Sequence, residues 1–395
     1  MKQISSDVAI IGGGLIGAAA AISLSDLGVN VVIIEKKSNF SNLKNYDDKR
    51  TIAISEGTKK FLSKINVWED LGLYSQPIKK IKIIDRNFTN MLDFDNSRRD
   101  SNLGYILKNQ ILINKLYKKL IKKKNIKIIN NDQVYNIEHN SENIITLSNK
   151  HKIQSKLLIA ADGKNSPTRS MLKTTYFKKN YNKKAFVINI THTANHNAVA
   201  YEFFNKFGPL AILPMKKETN NYSSSIVWTN DTEYLEELSK KADTNIINVL
   251  EKHTSGVIGN IKTINSKNLF PITAHINSKF YERRLIYIGD SAHSIHPIAG
   301  QGWNLGMRDV NSLLKVSKKH LNLGLNLGSN NFCKEYHEDT FYDAYRLYQV
   351  TDKLDNIFLN SNKITTIIRS LGFDFLKNNK NFKNFISDFA MGVSS

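Results

Sequence analysis

"DVAIIGGGLIGAAAAISLSDLGVNVVIIE", Asp7 to Glu35, decides the fold. Residues 7–11 read as a short buried strand, and Gly12-Gly13-Gly14-Leu15-Ile16-Gly17 follows at once. Leu15 to Leu27 forms a helical run rich in alanine and leucine that stops at Gly28, and a second apolar run, Val31 to Ile34, ends at Glu35. Strand, GxGxxG, helix, strand and acid, with Glu35 eighteen residues beyond Gly17, is the pattern of a dinucleotide cradle. Gly12 permits the tight turn, Gly14 lets backbone N–H groups approach a pyrophosphate, and Gly17 lets helix and strand pack closely. The helix N-terminus faces the phosphates with partial positive charge. Glu35 is placed to accept hydrogen bonds from ribose hydroxyls, with Lys36 beside it as a further cofactor contact. No second GxGxxG follows, which argues against two complete nucleotide-binding modules.

Two more strands break into unusual turns. Leu157 to Ala161 runs into "DGKNSPTR" (Asp162 to Arg169), and Leu285 to Ile288 runs into "GDSAHSIHPIAGQGWNLGMRD" (Gly289 to Asp309). The latter holds residues of a hydrolytic triad, Asp290, Ser291 and His293, but they are nearly adjacent and lack a GxSxG elbow. His293 and His296 have no HExxH or carboxylate partner to complete a metal site, so no metal is expected. Both histidines read as local hydrogen-bonding residues that fix the turn. The stretch is a surface for a cofactor.

Taken together, GxGxxG, DGxxSxxR and GDxxH…P resemble the three-part signature of class A FAD-dependent aromatic hydroxylases. "HPIAGQGWNLGMRDV", "DDKRTIAIS" (Asp47 to Ser55) with "INVWEDLG" after it, and "FFNKFGPLAILP" (Phe203 to Pro214) followed by "SIVW" further resemble the ubiquinone-biosynthesis hydroxylases. The likeness extends from Asp7 to about Phe358. It implies an α/β fold: a Rossmann-like FAD-binding domain with an inserted antiparallel-sheet substrate domain and C-terminal helices. The FAD-binding domain is expected in three pieces, 1–75, 101–176 and 274–345, the substrate domain in 76–100 and 177–273, and a helical tail in 346–395.

The resemblance also implies roles. Gly289 and Asp290 would hold the ribityl and pyrophosphate region of FAD, and Pro297 would lie by the isoalloxazine ring. Gly300, Gln301, Gly302, Trp303 and Asn304 open a helix whose N–H groups would stabilise negative charge at the ring edge. Arg50, in the DxR element with Asp48, and Asn109 would contact flavin or phosphate. Asp162 and Gly163 would assist FAD and nicotinamide binding, with Arg169 paired to that segment. Three positions depart from the usual pattern: Trp303 replaces a smaller apolar residue, Lys108 replaces an acid, and Ser291 replaces an alanine with a nearly neutral effect expected.

The activity implied is hydroxylation of the ring of a polyprenylated phenol, with NADPH or NADH and O2 as co-substrates and a flavin hydroperoxide as the oxygen donor. No residue identifies itself as a base; His192, His196 and Tyr201 are candidates for which surface or core roles fit as well. Alternation at 185–190 and 225–228 predicts antiparallel strands, and Gly208 to Pro214 is expected to wall a pocket. Three other readings stay open: hydroxylation of a soluble aromatic, reduction of prenyl double bonds, and a flavin-binding scaffold in a membrane-associated quinone-biosynthesis complex with other proteins of that pathway as partners. A fourth, an NAD-dependent dehydrogenase, would lack flavin colour.

Composition frames these readings. The 395 residues are 41% hydrophobic, with one cysteine, Cys333, so no internal disulfide or CxxC motif exists. No apolar run approaches bilayer length and the N-terminus lacks a leader pattern, giving the expectation of a cytoplasmic protein, with peripheral membrane contact. The formal charge of +21 comes from scattered lysines, with abundant asparagine and isoleucine, and without a nucleic-acid-binding motif. Solvated lysines from an AT-rich genome are the first reading, attraction to an anionic membrane is the functional alternative, and nucleic acid is not an expected partner. Phe375, Leu376, Phe382, Phe385, Ile386 and Phe389 approximate helical spacing with Lys377, Lys380 and Lys383 between them. That helix suits either a membrane interface or docking on the protein's own core or a partner hydroxylase.

Overall fold

The computed structural model describes residues 3–36, 48–85, 90–95, 101–205, 207–217, 220–254, 256–359, 372 and 374–392. Asp47 and the side chains of Phe385 and Phe389, named above, lie outside the described residues.

The Val-, Ile- and Leu-rich runs assemble into a mostly parallel sheet whose inner strands are buried on both faces, as continuous apolar strands require, with Tyr281–Glu282 antiparallel at one edge. Its strands lie in the order Tyr281–Glu282, Leu285–Tyr287, Lys152–Ala160, Gln3–Ile11, Val31–Glu35, Ile126–Asn130. Val8 pairs with both Leu157 and Val31, and at the other end Ile11 pairs with both Ala160 and Ile34, so these strands stop at nearly one level. The helix Leu15–Ser25, almost entirely buried, crosses from the first strand to the second. Asn143–Leu147 and Val134–His139 extend the sheet antiparallel from Lys152–Ala160.

A second eight-stranded sheet has the order His293–Ser294, Ile261–Asn277, Tyr176–His192, Tyr222–Asp231, Gly208–Met215, Val199–Asn205, Lys80–Asp85, Asn90–Asp95. Neighbours are antiparallel except Val199–Asn205 and Lys80–Asp85, which run parallel. Alternation along these strands sends Phe186, Ile188, Phe203, Leu210, Ile212 and Trp228 to one face, under the helices Thr232–Lys240 and Asp243–Thr254. The opposite face turns toward the parallel sheet. Thr51–Ser55, Gly104–Lys108 and Gln76–Ile78 form a third, small sheet between them. The fold is thus the α/β arrangement expected: a Rossmann-like unit, an inserted, mostly antiparallel sheet, and C-terminal helices.

Tyr176–His192, Ile261–Asn277 and the helix Asn330–Leu359 run across the expected segment borders at 176/177, 273/274 and 345/346. Among the described residues no helix is long and apolar enough to cross a membrane.

Candidate active site

Where the parallel strands end, Gly12 turns the chain with φ +101°. A Cβ there would sit 2.4 Å from the Ala161 carbonyl oxygen, and one at Gly17 would sit 2.0 Å from the Gly12 oxygen. Only glycine fits such contacts. Gly14 instead faces open space and precedes a helix with no acid in its first turn and no side-chain cap. The N–H groups of that turn are left for an outside acceptor. Glu35 lines the same space, and its Oε2 accepts the Gly13 N–H at 2.7 Å, so one carboxylate oxygen braces the cradle itself. The Tyr117 hydroxyl donates to the Gly13 carbonyl at 2.5 Å from the other side.

The Gly289–Asp309 stretch is built from behind. Asp309, on the helix Gly302–Asn322, accepts the Gly289 N–H at 2.8 Å and the His293 Nε2–H at 2.7 Å on the same oxygen, all buried. The Ser291 hydroxyl lies 2.5 Å from the Ala160 carbonyl and 2.8 Å from that of Ile288. Ser291 is therefore not the neutral replacement of alanine expected; it ties the turn to the parallel sheet. With its neighbours fixed, Asp290 is left exposed into the cleft.

Asn304 does not reach the cleft. It donates to the Ala53 and Gly300 carbonyls at 2.9 and 3.2 Å and accepts the Ser55 N–H at 2.9 Å, stapling the Thr51–Ser55 strand to the helix start. Arg169, Gln301 and Gly17 also stand outside the lining. Arg169 is buried and donates to the Lys164 carbonyl (2.6 Å), the Ser291 carbonyl (3.1 Å) and His275 Nε2 (2.9 Å), joining the Asp162 and Gly289 turns. Burial first, and then the Arg169 charge, push His275 down to about 3, so it meets the guanidinium as a neutral acceptor.

The remaining fourteen residues singled out from sequence, Gly12, Gly14, Glu35, Lys36, Arg50, Asn109, Asp162, Gly163, Gly289, Asp290, Pro297, Gly300, Gly302 and Trp303, all line one cleft of about 910 Å³. Arg50 grips Asp48 through Nε at 2.8 Å and a terminal nitrogen at 2.6 Å, and Asn109 donates to the same carboxylate at 2.6 Å. Burial alone would raise Asp48, but Arg50 and these hydrogen bonds outweigh it and hold the carboxyl below its ordinary value. Four buried polar atoms on the lining, Asp162 Oδ1, Asn109 Oδ1, Asp132 Oδ2 and Trp303 Nε1, have no hydrogen-bond partner among the described residues, as groups awaiting a polar ligand do.

The cleft's other wall is the free face of the second sheet: Ala185, Val187, Leu213, Val227, Phe270 and Ile272. Of the expected Gly208–Pro214 wall, only Leu213 lines the cleft. His192 bonds Ser224 Oγ at 2.9 Å and His196 contacts the Met215 carbonyl at 3.1 Å; neither lines it, and Tyr201 points to the far face with Phe203. Two residues that sequence reasoning passed over matter here. Asp309, in the quoted HPIAGQGWNLGMRDV stretch, supplies the buried carboxylate, and Lys164, inside DGKNSPTR, donates to the Thr273 carbonyl at 2.6 Å across the cleft. The space can therefore take an anionic pyrophosphate at the glycine end and a planar, largely apolar group at the other.

Comparison with known proteins agrees. The model of the family described as FAD binding domain matches residues 5–339. Ubiquinone hydroxylase UbiL of Rhodospirillum rubrum is 28% identical over 98% of this chain and 90% of its own length. Mitochondrial ubiquinone biosynthesis monooxygenase COQ6 of Dictyostelium discoideum is 26% identical, over 98% and 91%. The crystal structure of p-nitrophenol 4-monooxygenase PnpA from Pseudomonas putida superposes with a TM-score of 0.80 at 17% identity, covering 100% of this chain and 99% of that one, which shows a shared fold. The chain belongs to the FAD binding domain family, among the flavin-dependent monooxygenases that its three motifs resemble.

Proposed function

We propose that this protein hydroxylates the aromatic ring of a polyprenylated phenol on the route to ubiquinone. The observation that carries the reading is the single cleft that joins the glycine cradle to the apolar sheet face, flanked by Pro297 and Trp303. Similarity to UbiL and COQ6 over nearly the whole chain supports the substrate class. Bound FAD supplies the redox chemistry, taking electrons from NADPH or NADH and passing them to O2.

The chain's own residues do the positioning. The N–H groups after Gly14 receive the pyrophosphate, while Glu35 and Lys36 lie along the ribose. Arg50 and Asn109, already linked through Asp48, and Asp162 with Gly163 border the ribityl region together with Gly289 and Asp290. Pro297 and the backbone of Gly300, Gly302 and Trp303 edge the ring, where helix-start N–H groups favour negative charge. Gly17, Arg169, Gln301 and Asn304 brace these contacts from outside the cleft. The apolar wall at Val187, Leu213, Val227 and Phe270 holds the substrate ring and excludes water. Residues 1–75, 101–176 and 274–345 serve the cofactor, 76–100 and 177–273 the substrate, with 346–395 as a C-terminal tail.

Complementation tests the reading. The chain is expressed in bacterial strains that each lack one quinone-ring hydroxylase, and lipids are read by mass spectrometry. Restored ubiquinone in a strain is the expected result and assigns the ring position. Loss of restoration in every strain, from a protein that carries flavin, would overturn the polyprenylated substrate in favour of a soluble aromatic or a scaffolding role.

A further inference from the structure

One row of residues crosses the cleft-facing side of the second sheet. Val187, Val227, Ala211, Glu202, Ile83 and Leu92 are successive register partners, and register partners project to the same face. Val187 and Val227 line the cleft. Ile83 and Leu92 belong to an apolar cluster that also contains Ala53 and Leu213, and both of those line the cleft. Glu202 is the one ionisable side chain in the row. Glu202 does not line the cleft itself, but it faces the same side as the lining Val187 and Val227 and, with neighbouring strands about 4.8 Å apart, starts roughly two strand spacings from Val227, where the cleft meets that cluster.

Glu202 is half-buried, and its carboxylate has no hydrogen-bond or ion-pair partner among the described residues. An unpaired carboxylate among apolar side chains is costly for structure alone. Apart from the buried Asp85, the charged groups on the surrounding elements are engaged or exposed. Asp85, two residues along the face, is buried; Lys383 lies over the Phe94 ring; Asp352 is held by Lys179 and Tyr181; Arg346 and Lys353 are exposed. Lys80 and Asp93 pair on the far face. Burial accordingly pushes the Glu202 carboxyl up to about 7.

We propose that Glu202 is the group that accepts the phenolic proton of the substrate ring. The phenol O–H bond breaks, its electron pair stays on oxygen and delocalises into the ring, and the proton forms a bond to a carboxylate oxygen. No electron leaves the substrate in this step; the ring becomes more nucleophilic toward the oxygen delivered from the flavin side. A carboxyl near 7 is better matched to a phenol near 10 than an ordinary glutamate, and it is ionised in the upper part of the physiological range. The step rests on the phenol reading of the site.

The test uses the flavin-loaded full chain with 2-prenylphenol as substrate. In the wild type, kcat/KM should rise with pH to a plateau above about 7. Glu202→Gln should lower kcat by about 100-fold or more, leave KM and flavin content nearly unchanged, and divert oxygen to hydrogen peroxide, while Glu202→Asp recovers part of the rate. A structural role would instead raise KM or lose flavin. Infrared difference spectra, taken without any reductant, give a readout independent of turnover: a protonated carboxyl band present at acidic pH, absent in Glu202→Gln, and shifted when o-cresol binds. A Glu202→Gln protein with the wild-type rate and pH profile, or a carboxyl band unmoved by o-cresol, overturns the proposal. Should the wild type hydroxylate no phenol while the band still shifts, the substrate reading fails and Glu202 as a phenol-binding carboxylate stands.

Discussion

His293 donates from Nε2 to Asp309 Oδ2 at 2.7 Å, and that oxygen also takes the Gly289 N–H at 2.8 Å. One buried carboxylate thus anchors both ends of the turn that presents Asp290 to the cleft. Burial disfavours the imidazolium, but the Asp309 charge and hydrogen bond outweigh it and hold His293 above its ordinary value. Removing one partner of a buried pair costs about 3–5 kcal/mol, so Asp309→Asn should lower the unfolding free energy from urea titration by that order. It should also release flavin, read from the absorbance of the purified protein. Because the folded pKa of His293 is raised, its contribution to stability is fully present below the unfolded value of about 6.5 and fades as pH rises through the higher folded value. A titration of stability across neutral pH should lose that decline in His293→Gln.

The cradle glycines separate two kinds of damage. Gly12→Ala would force a Cβ to within 2.4 Å of the Ala161 oxygen at φ +101°, so the turn and the strand ends must move. Both thermal stability and flavin content should fall. Gly14→Ala meets nothing within 4 Å, and its methyl would point into the space proposed for phosphate. Here stability should stay near wild type while flavin affinity drops at least tenfold, as measured by titrating the apoprotein with FAD. Equal behaviour of the two variants would place the pyrophosphate elsewhere.

Acid should loosen the fold through two other histidines. Burial, reinforced by Arg169 at His275 and by Lys183 and Lys179 at His296, pushes these groups down to about 3 and about 4. Between those values and about 6.5 the unfolded chain takes up protons that the folded chain refuses. Stability therefore falls as pH drops through this window, by up to about 1.4 kcal/mol per pH unit for each histidine. Urea unfolding at about pH 7, 6 and 5 should trace the decline, and His296→Gln should flatten it by one proton's share.

Much of this was legible in the sequence because it is local. GxGxxG between two apolar strands dictates the parallel order around Gln3–Ile11, and fourteen of the eighteen residues picked from motifs share one cleft. What escaped depends on distant register. Glu202 shares a sheet face with the cleft-lining Val187 and Val227 only because Val199–Asn205 pairs with both Gly208–Met215 and Lys80–Asp85, a pairing that no local pattern encodes. Arg169 and Asn304 sit inside recognisable motifs, yet their side chains turn away from the cleft to hold neighbouring turns. A motif marks where such residues are needed without saying which way each side chain faces.

The C-terminal segment uses part of its apolar pattern for the protein's own core. Leu376 and Ile386 pack on the cluster formed by Ile78, Leu92, Phe94 and Met391, so the segment docks on the protein's own core. Phe375 and Phe382 remain 52% and 43% exposed, with ring centroids 5.3 Å apart, among the exposed Lys377 and Lys380. An exposed aromatic pair ringed by lysines suits an anionic lipid surface, each cation adding about 1 kcal/mol near the headgroups. Flotation of the full chain with phosphatidylglycerol vesicles should carry the protein upward, weaken as salt is raised, and fail with phosphatidylcholine alone. The double variant Phe375→Ser, Phe382→Ser should lose flotation while keeping its flavin, because neither ring belongs to the buried cluster. Flotation that survives both high salt and the double substitution would assign membrane attachment to another surface.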